Sequence, residues 1–319
     1  MFKGRLAVDI GIAGTSVAAR VPLQGDTPPE RLEGEQMPRH AQPTASQPRS
    51  AVVTGGARGI GKATASALVR RGYSVVLTDI DGDRAAVTAA EIGAVLGLHQ
   101  DVADEAGHQI IAREARAQAP LAAWFSNAGV GYEGLAADQP SDSVRALVDI
   151  NFLGSLWGAR AAVRAFREQA RSGELRGGDI VLTSSLSAHG PVPGMSVYAA
   201  TKAAVLSLAS SMHTELRTEH IRMHAICPDG VDTQLVAQLQ PRGQASALIH
   251  SGGGLLSVDQ VAEAMVGLIG SRRVYRTLPG HRGLLMQLAQ VAPGATMRFE
   301  PLLRMQGQMM EAATTHRPR

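Results

Sequence analysis

The sequence predicts an α/β protein: a doubly wound parallel sheet in three α/β/α layers, forming a single domain over residues 49–278. Three observations predict it. Short β-branched or apolar runs recur along the chain, amphipathic helix-length segments separate them, and a glycine-rich turn follows the first run. Apolar runs without polar alternation belong to strands buried on both faces, which requires helices on each side of a parallel sheet. Right-handed crossovers then wind those helices onto both faces.

The elements follow in order. Ala51–Thr54 forms the first strand and runs into TGGARGIG, after which Ile60–Arg71 has helical spacing of apolar residues. Ser74–Thr78 is the second strand, with a helical stretch after Asp81. Val95–His99, Ala122–Ser126, Ile180–Thr183 and Ile221–Ile226 continue the strands, separated by helices near 105–118, 142–171 and 198–219. Ser257 to Gln260 is a capping-box pattern that starts a helix reaching about Ile269. RRVYRTLPGHR, after it, holds a last strand. Residues 279–319 form a Leu- and Met-rich helical tail that Pro293 divides. Two readings of it stand: a helix packed on the body or on a neighbouring subunit, or an apolar lid or lipid contact.

Composition excludes several classes. The chain has 319 residues, 45% of them hydrophobic, and a net charge of +3. Only 3% are aromatic and no basic run is interleaved with them, which argues against a nucleic-acid platform. The single cysteine, Cys227, rules out an intrachain disulfide and a Cys-based zinc cluster, and is read as a buried thiol. The histidines at 40, 99, 108, 213, 220 and 224 lack metal spacing, so no metal site is expected. No apolar run reaches the roughly 18 residues of a transmembrane helix. The N-terminal apolar stretch is broken by Asp9, which makes it a poor secretory signal and gives a cytoplasmic expectation. Residues 1–48 are read as a disordered arm, rich in Pro and Gln toward its end, with Met37 available as a later start.

The stretch TGGARGIGKAT admits two parses. From Gly56, GARGIGK fits the spine of a nucleoside-triphosphate phosphate loop. That loop needs Ser or Thr directly after the lysine, but Ala63 follows Lys62. Thr64 comes one residue late, rotated about 100° around the helix. From Gly55, the glycines at 55, 59 and 61 suggest a dinucleotide-binding turn between strand and helix. An acidic residue, Asp79, ends the second strand, where a carboxylate accepts hydrogen bonds from ribose hydroxyls and repels a 2′-phosphate. Ile80 next to it supplies no cation, whereas Arg58 in the turn can reach such a phosphate. The balance favours NAD over NADP.

With these motifs in place the chain resembles the short-chain dehydrogenase/reductase family in its single-domain form, over about Arg49 to Thr277. The resemblance rests on TGGARGIG at 54–61, Asp79, Asp101-Val102, the NAG triplet at 127–129, Asn151, Ser185 and YAATK at 198–202. It implies a Rossmann-type fold with a catalytic set of Asn151, Ser185, Tyr198 and Lys202. It also implies cofactor contacts from Gly55, Arg58, Gly59, Ile60, Gly61, Asp79 and Ile80. Asp101 would meet the adenine amino group and Val102 the ring, while Asn127, Ala128 and Gly129 would let backbone approach the ribose. Lys202 would hold the nicotinamide ribose, and Asn151 would anchor a water of a proton relay. Pro228, Gly230, Val231 and Thr233 resemble the family's carboxamide-binding segment, P-G-x-V-x-T. Here Asp229 stands at the glycine place, which questions the backbone geometry and the polarity near the nicotinamide. The family also implies a homotetramer or homodimer.

The residue types suit the chemistry. Tyr198 and Lys202 are four apart on a helix and share one face. A phenol with a pKa of about 10 is a poor base at neutral pH, and a nearby ammonium is expected to lower it. Tyr198 would then exchange a proton with a substrate hydroxyl, and Ser185 would orient the substrate oxygen, with Ser184 beside it bonding the strand end. His189, in the loop between Ser185 and Tyr198, is read as solvent-facing and outside the catalytic set. The expected activity is hydride transfer between NAD(P) and a secondary alcohol or ketone, with a fairly apolar substrate suggested by the tail. The alternative is a noncatalytic dinucleotide-binding sensor or interaction protein on the same fold.

Overall fold

The computed structural model describes residues 48–237, 244–251 and 254–291, with a few positions beyond. The arm expected over 1–48 and the distal part of the tail therefore lie almost wholly outside the described residues.

Strands and helices alternate as expected. β1 (Arg49–Thr54), α1 (Gly59–Arg70), β2 (Tyr73–Asp79), α2 (Gly82–Ile92), β3 (Leu96–His99), α3 (Glu105–Gln118) and β4 (Leu121–Ser126) build one half. The other half comprises α4 (Ser141–Ala146), α5 (Gly154–Ser172), β5 (Gly178–Thr183), α6 (Ser196–Glu215) and β6 (Ile221–Pro228). It continues with α7 (Gln234–Ala237), α8 (Gln244–His250), α9 (Val258–Val266), β7 (Tyr275–Leu278) and α10 (Gly280–Val291). The seven strands lie in the order β3-β2-β1-β4-β5-β6-β7, and every pairing is parallel.

The strands read as continuous apolar runs because both faces are covered. Val52, Trp124, Ile180 and Leu182 point into one core, against Ile111 and Ala115 of α3, Ala162 and Phe166 of α5 and Val205 of α6. Their neighbours Ala51, Val53, Phe125 and Val181 point into the other, against Leu68 of α1, Ala85 of α2 and Met265 of α9. Successive side chains of a strand face opposite ways, so each strand feeds both cores. Chain order reverses between β1 and β4, which opens a crevice at their carboxyl ends.

Local chemistry sets the helix ends. Asp81 and Asp104 accept backbone N–H bonds at the starts of α2 and α3. Ser257 and Gln260 make both bonds of the capping box that opens α9, as the sequence predicts. The helix expected over 142–171 is interrupted: Leu147–Leu153 forms a π-helical turn between α4 and α5. The widened turn carries Asn151, whose carbonyl accepts from Ser155 Oγ at 2.7 Å. Such insertions gather at functional sites because they re-aim one side chain within a helix.

A buried ionic node fixes the lower part of the sheet. Asp179 of β5 takes two bonds from Arg222 at 2.7 Å each, one from the Gly270 N–H at 3.0 Å, and contacts His224 Nε2 at 3.1 Å. Burial pushes its carboxyl up, but Arg222 and His224 together pull it down further and leave it below its ordinary value.

Candidate active site

The crevice at the β1–β4 switch is a continuous cleft of about 1290 Å³. Pockets for small molecules span roughly 300–1,000 Å³, so this larger cleft has room for an extended cofactor with a substrate beside it. Asp79, Ile80 and Arg84 line one end, and Tyr198, Lys202 and Met286 line the other.

The glycine turn joins β1 to α1 across the middle. Gly55 has φ +63°, in the left-handed region that glycine tolerates. A Cβ on Gly61 would lie 2.0 Å from the Gly55 carbonyl oxygen, so only glycine lets α1 start this close to the turn. No side chain caps α1, whose N-terminus opens beside the cleft where Gly59 and Ile60 line it. Open helix N–H groups suit an anionic group such as a pyrophosphate. Lys62, by contrast, pairs with Glu91 on the surface, and Thr64 is buried against the Met265 sulfur. Both point away from a phosphate loop's metal site.

The flanking residues brace this turn. Thr54 Oγ1 accepts from the N–H groups of Asn127 and Ala128, at 3.1 and 3.2 Å. The Asn127 amide donates to the carbonyls of Thr54 and Gly55, each at 3.2 Å. Asp79 accepts from Ala57 N–H at 3.1 Å and from Asp81 N–H at 3.2 Å, which holds its carboxylate at the mouth of the crevice. Arg58 donates to Gln234 Oε1 at 2.8 Å and faces Asp81 at 3.5 Å. Asp101 and Val102 also line the cleft; Asp101 accepts from Ala103 N–H, and Val102 is buried against Gly154.

At the other end α6 presents Tyr198 and Lys202 from one face, with Ser185 at the end of β5. Burial holds the Tyr198 phenol above its ordinary pKa, with the neighbouring Ser185 side chain acting in the opposite sense. The lowering expected from Lys202 is therefore not what the protein alone produces. Lys202 Nζ sits 5.6 Å from the ring centroid and donates to the Thr183 carbonyl at 2.9 Å. Burial pulls the Lys202 pKa down to about 8, with Cys227 acting in the opposite sense. Ser184, as expected, bonds backbone: its Oγ donates to the Lys202 carbonyl at 2.7 Å.

Asn151 is buried and its amide is committed to protein. Its Oδ1 accepts from Val130 N–H at 2.9 Å, and its Nδ2 donates to Val130 O at 3.0 Å and to Thr201 Oγ1 at 3.3 Å. Through these bonds it ties the loop after β4 to α6. Thr201 and Thr54, which sequence reasoning passed over, are thus part of the support; a hydroxyl beside each motif was the available signal. His189 corrects an expectation: it is buried, contacts Thr277 Oγ1 at 3.0 Å and stacks obliquely on Tyr275 at 5.5 Å. A short 3₁₀ turn, Leu186–His189, folds the loop inward and makes this possible.

The carboxamide-like segment keeps a regular backbone despite Asp229. Asp229 does not adopt positive φ, and its carboxylate pairs with Arg282. Gly230 is the residue that cannot carry a side chain, since a Cβ there would lie 2.2 Å from Ile249 Cγ2. Pro228, Val231 and Thr233 line the cleft with it. Around Tyr198 the wall is apolar, with Val192, Met195, Val236 and Ile249 packed together. Arg282 and Met286, one turn apart on α10, complete it.

The fold and cleft define a Rossmann-type α/β protein with a large crevice at its switch point, and comparison with known proteins gives its family. The short chain dehydrogenase family matches residues 49–243, and the chain belongs to that family. It is 34% identical over 236 residues to the 1-deoxy-11-beta-hydroxypentalenate dehydrogenase of Streptomyces avermitilis, covering 72% of this chain and 84% of that protein. It is 29% identical over 259 residues to the probable oxidoreductase EphD of Mycobacterium tuberculosis, covering 76% of this chain but only 43% of EphD. Among solved structures, it resembles the 3-ketoacyl-(acyl-carrier-protein) reductase from Brucella melitensis complexed with NADH. That match has a TM-score of 0.66 and 26% identity, and covers 74% of this chain and 99% of the other. The chain is thus an oxidoreductase of the short-chain dehydrogenase type. No helix among the described residues is long and apolar enough to cross a membrane.

Proposed function

We propose that the protein interconverts a secondary alcohol and a ketone on a bulky, apolar molecule, using NAD(H) and Tyr198 as acid and base. One observation carries this reading: a single cleft holds Asp79 at one end and Ser185, Tyr198 and Lys202 at the other, with apolar side chains around the phenol. The solved reductase with bound NADH, at 26% identity, supports the cofactor class. The residues fit such a group. Asp79 would accept from the adenosine ribose, the open start of α1 would face the pyrophosphate, and Lys202 would hold the second ribose. When bound, the nicotinamide supplies or accepts the hydride.

The chain's own residues handle the proton. In the reductive direction Tyr198 Oη gives its proton to the carbonyl oxygen, and in the oxidative direction its phenolate takes one from the hydroxyl. Ser185 Oγ donates to the same oxygen and stabilises the charge that develops there. A phenol held above its ordinary pKa by burial stays protonated until it is used, which suits the acid role. Lys202, with its pKa at about 8, remains mostly an ammonium at neutral pH and offers donors beyond the one spent on Thr183. The apolar wall excludes water and selects an apolar substrate.

NAD is favoured over NADP by the Asp79 carboxylate and by Arg58, whose charge is shared with Asp81. Arg84 lines the same end and acts in the other direction. Tyr198→Phe tests the central claim. It should lower kcat by about 10²–10⁴-fold and leave the NADH dissociation constant within about twofold. Retention of wild-type kcat by the variant overturns the acid–base assignment.

A further inference from the structure

Asp229 and Arg282 come from different parts of the chain, yet they meet inside the cleft. Asp229 follows Pro228 at the end of β6, and its N–H donates to Leu278 O of β7 at 2.8 Å. Arg282 lies in the first turn of α10, and its guanidinium pairs with the Asp229 carboxylate. Both side chains are largely buried, with 12% and 18% exposure. The guanidinium also donates to the carbonyls of Leu248 and Ile249 at 3.3 and 3.5 Å, and lies 3.5 Å from Ser251 Oγ. One cation therefore ties together the end of β6, the last turn of α8 and the start of α10.

These three pieces make up much of the apolar substrate end. Leu248 and Ile249 come from α8, and Met286 from α10, one turn after Arg282. The Ile249 side chain fills the space over Gly230, and Met286 fills the space over Gly190. Both side chains reach these glycines only while α8 and α10 stay packed over the cleft. Carbonyls at the last turn of a helix lack intrahelical donors and attract a cation. Arg282 supplies one, and a planar guanidinium serves a carboxylate and two carbonyls at once. The glycine expected at position 229 could not make this contact.

We propose that the Asp229–Arg282 pair is a positioning clasp that fixes α8 and α10 over the substrate end of the cleft and so sets discrimination by substrate size. Neither residue takes part in the chemical step; they act through the wall that Leu248, Ile249 and Met286 form. The discrimination part of the claim rests on the alcohol and ketone reading above, whereas the clasp itself does not.

The experiment has two arms on the full chain. Hydrogen exchange followed by mass spectrometry is measured on the apoprotein for wild type, Arg282→Met, Asp229→Asn and the swapped pair Asp229→Arg/Arg282→Asp. Peptides covering 229–237, 244–251 and 280–291 should exchange at least tenfold faster in each single variant. Peptides from α5 should stay within twofold, and the swapped pair should recover part of the protection. The second arm compares trans-1-decalone with 2-butanone under NADH. In the single variants kcat/KM for decalone should fall at least tenfold more than for butanone, mainly through KM. Unchanged exchange at 244–251 in both single variants overturns the clasp, as does a global rise that includes α5. Equal losses for the two ketones overturn the discrimination. A wild type that reduces neither ketone overturns the choice of substrate class, and the exchange arm then still decides the clasp. Asp229→Asn keeps the shape of the site, so the exchange arm remains decisive if Arg282→Met does not fold.

Discussion

Lys202 should give the protein a distinctive alkaline stability profile. Burial moves its pKa from the ordinary 10.5 down to about 8, a displacement equivalent to about 3 kcal/mol. Between those two values the unfolded chain binds a proton that the native state has released. Stability therefore rises with pH across this window, at about 1.4 kcal/mol per pH unit, and is lost again as pH falls through 8. Cys227, buried nearby, works in the opposite sense. Burial raises its pKa from 9.0 to about 11, although Ser184, Thr277 and Lys202 partly counter this. From 9.0 to about 11 the native state holds a proton that the unfolded chain has lost, which costs about 3 kcal/mol in total. Wild-type stability should accordingly climb from pH 8 to 9, level off to about 10, and fall beyond it, where the raised Tyr198 phenol adds to the loss. Lys202→Met removes the climb. Urea unfolding at pH 7.5 to 11 measures it: the stability of the Met variant relative to wild type should drop by about 3 kcal/mol between pH 7.5 and 10.5. Cys227→Ala, measured alongside, isolates the falling limb. Parallel wild-type and Lys202→Met profiles, within about 0.5 kcal/mol, would refute the reasoning that burial dominates at this lysine.

Three further outcomes are expected. In Gly61→Ala the new Cβ would lie 2.0 Å from the Gly55 carbonyl, so the turn must open; at about 1–3 kcal/mol for overpacking, calorimetry should find NADH bound roughly 10–100-fold more weakly. Asp79→Ala removes a carboxylate that would repel a 2′-phosphate by up to about 4 kcal/mol at close range. The NAD to NADP ratio of kcat/KM should fall at least about 100-fold, and a wild type that prefers NADP would contradict the assignment. Asp179→Ala leaves Arg222 and His224 without their shared partner. A loss of about 3–5 kcal/mol should appear as a fall in Tm on the order of 10 °C, and no change in Tm would show that the node is dispensable.

Much of the fold could be read from the chain because its signals are local. Continuous apolar runs such as Ala51–Thr54 and Ile180–Thr183 report burial on both faces whatever surrounds them, and the glycine spacing of the turn reports a close approach of its own backbone. The i, i+4 spacing of Tyr198 and Lys202 puts them on one face of any helix they share. Where readings failed, contacts distant in sequence decided. His189 reads as solvent-facing because nothing near it in the chain announces Thr277. Lys202 was expected to acidify Tyr198, yet desolvation in the assembled cleft governs both groups.

Sequence alone thus determined the parallel α/β class, the order of the strands' chemistry and the motif residues at the carboxyl ends, since each depends on neighbours within a turn or a strand. The tertiary structure alone decided which direction the Tyr198 pKa moves, what Asn151 holds and why an aspartate is accommodated at position 229. Arg282 lies 53 positions further on in the sequence, and only packing α10 beside the end of β6 brings its charge to that carboxylate. Burial and ion pairing are properties of the packed chain, and no local spacing encodes them.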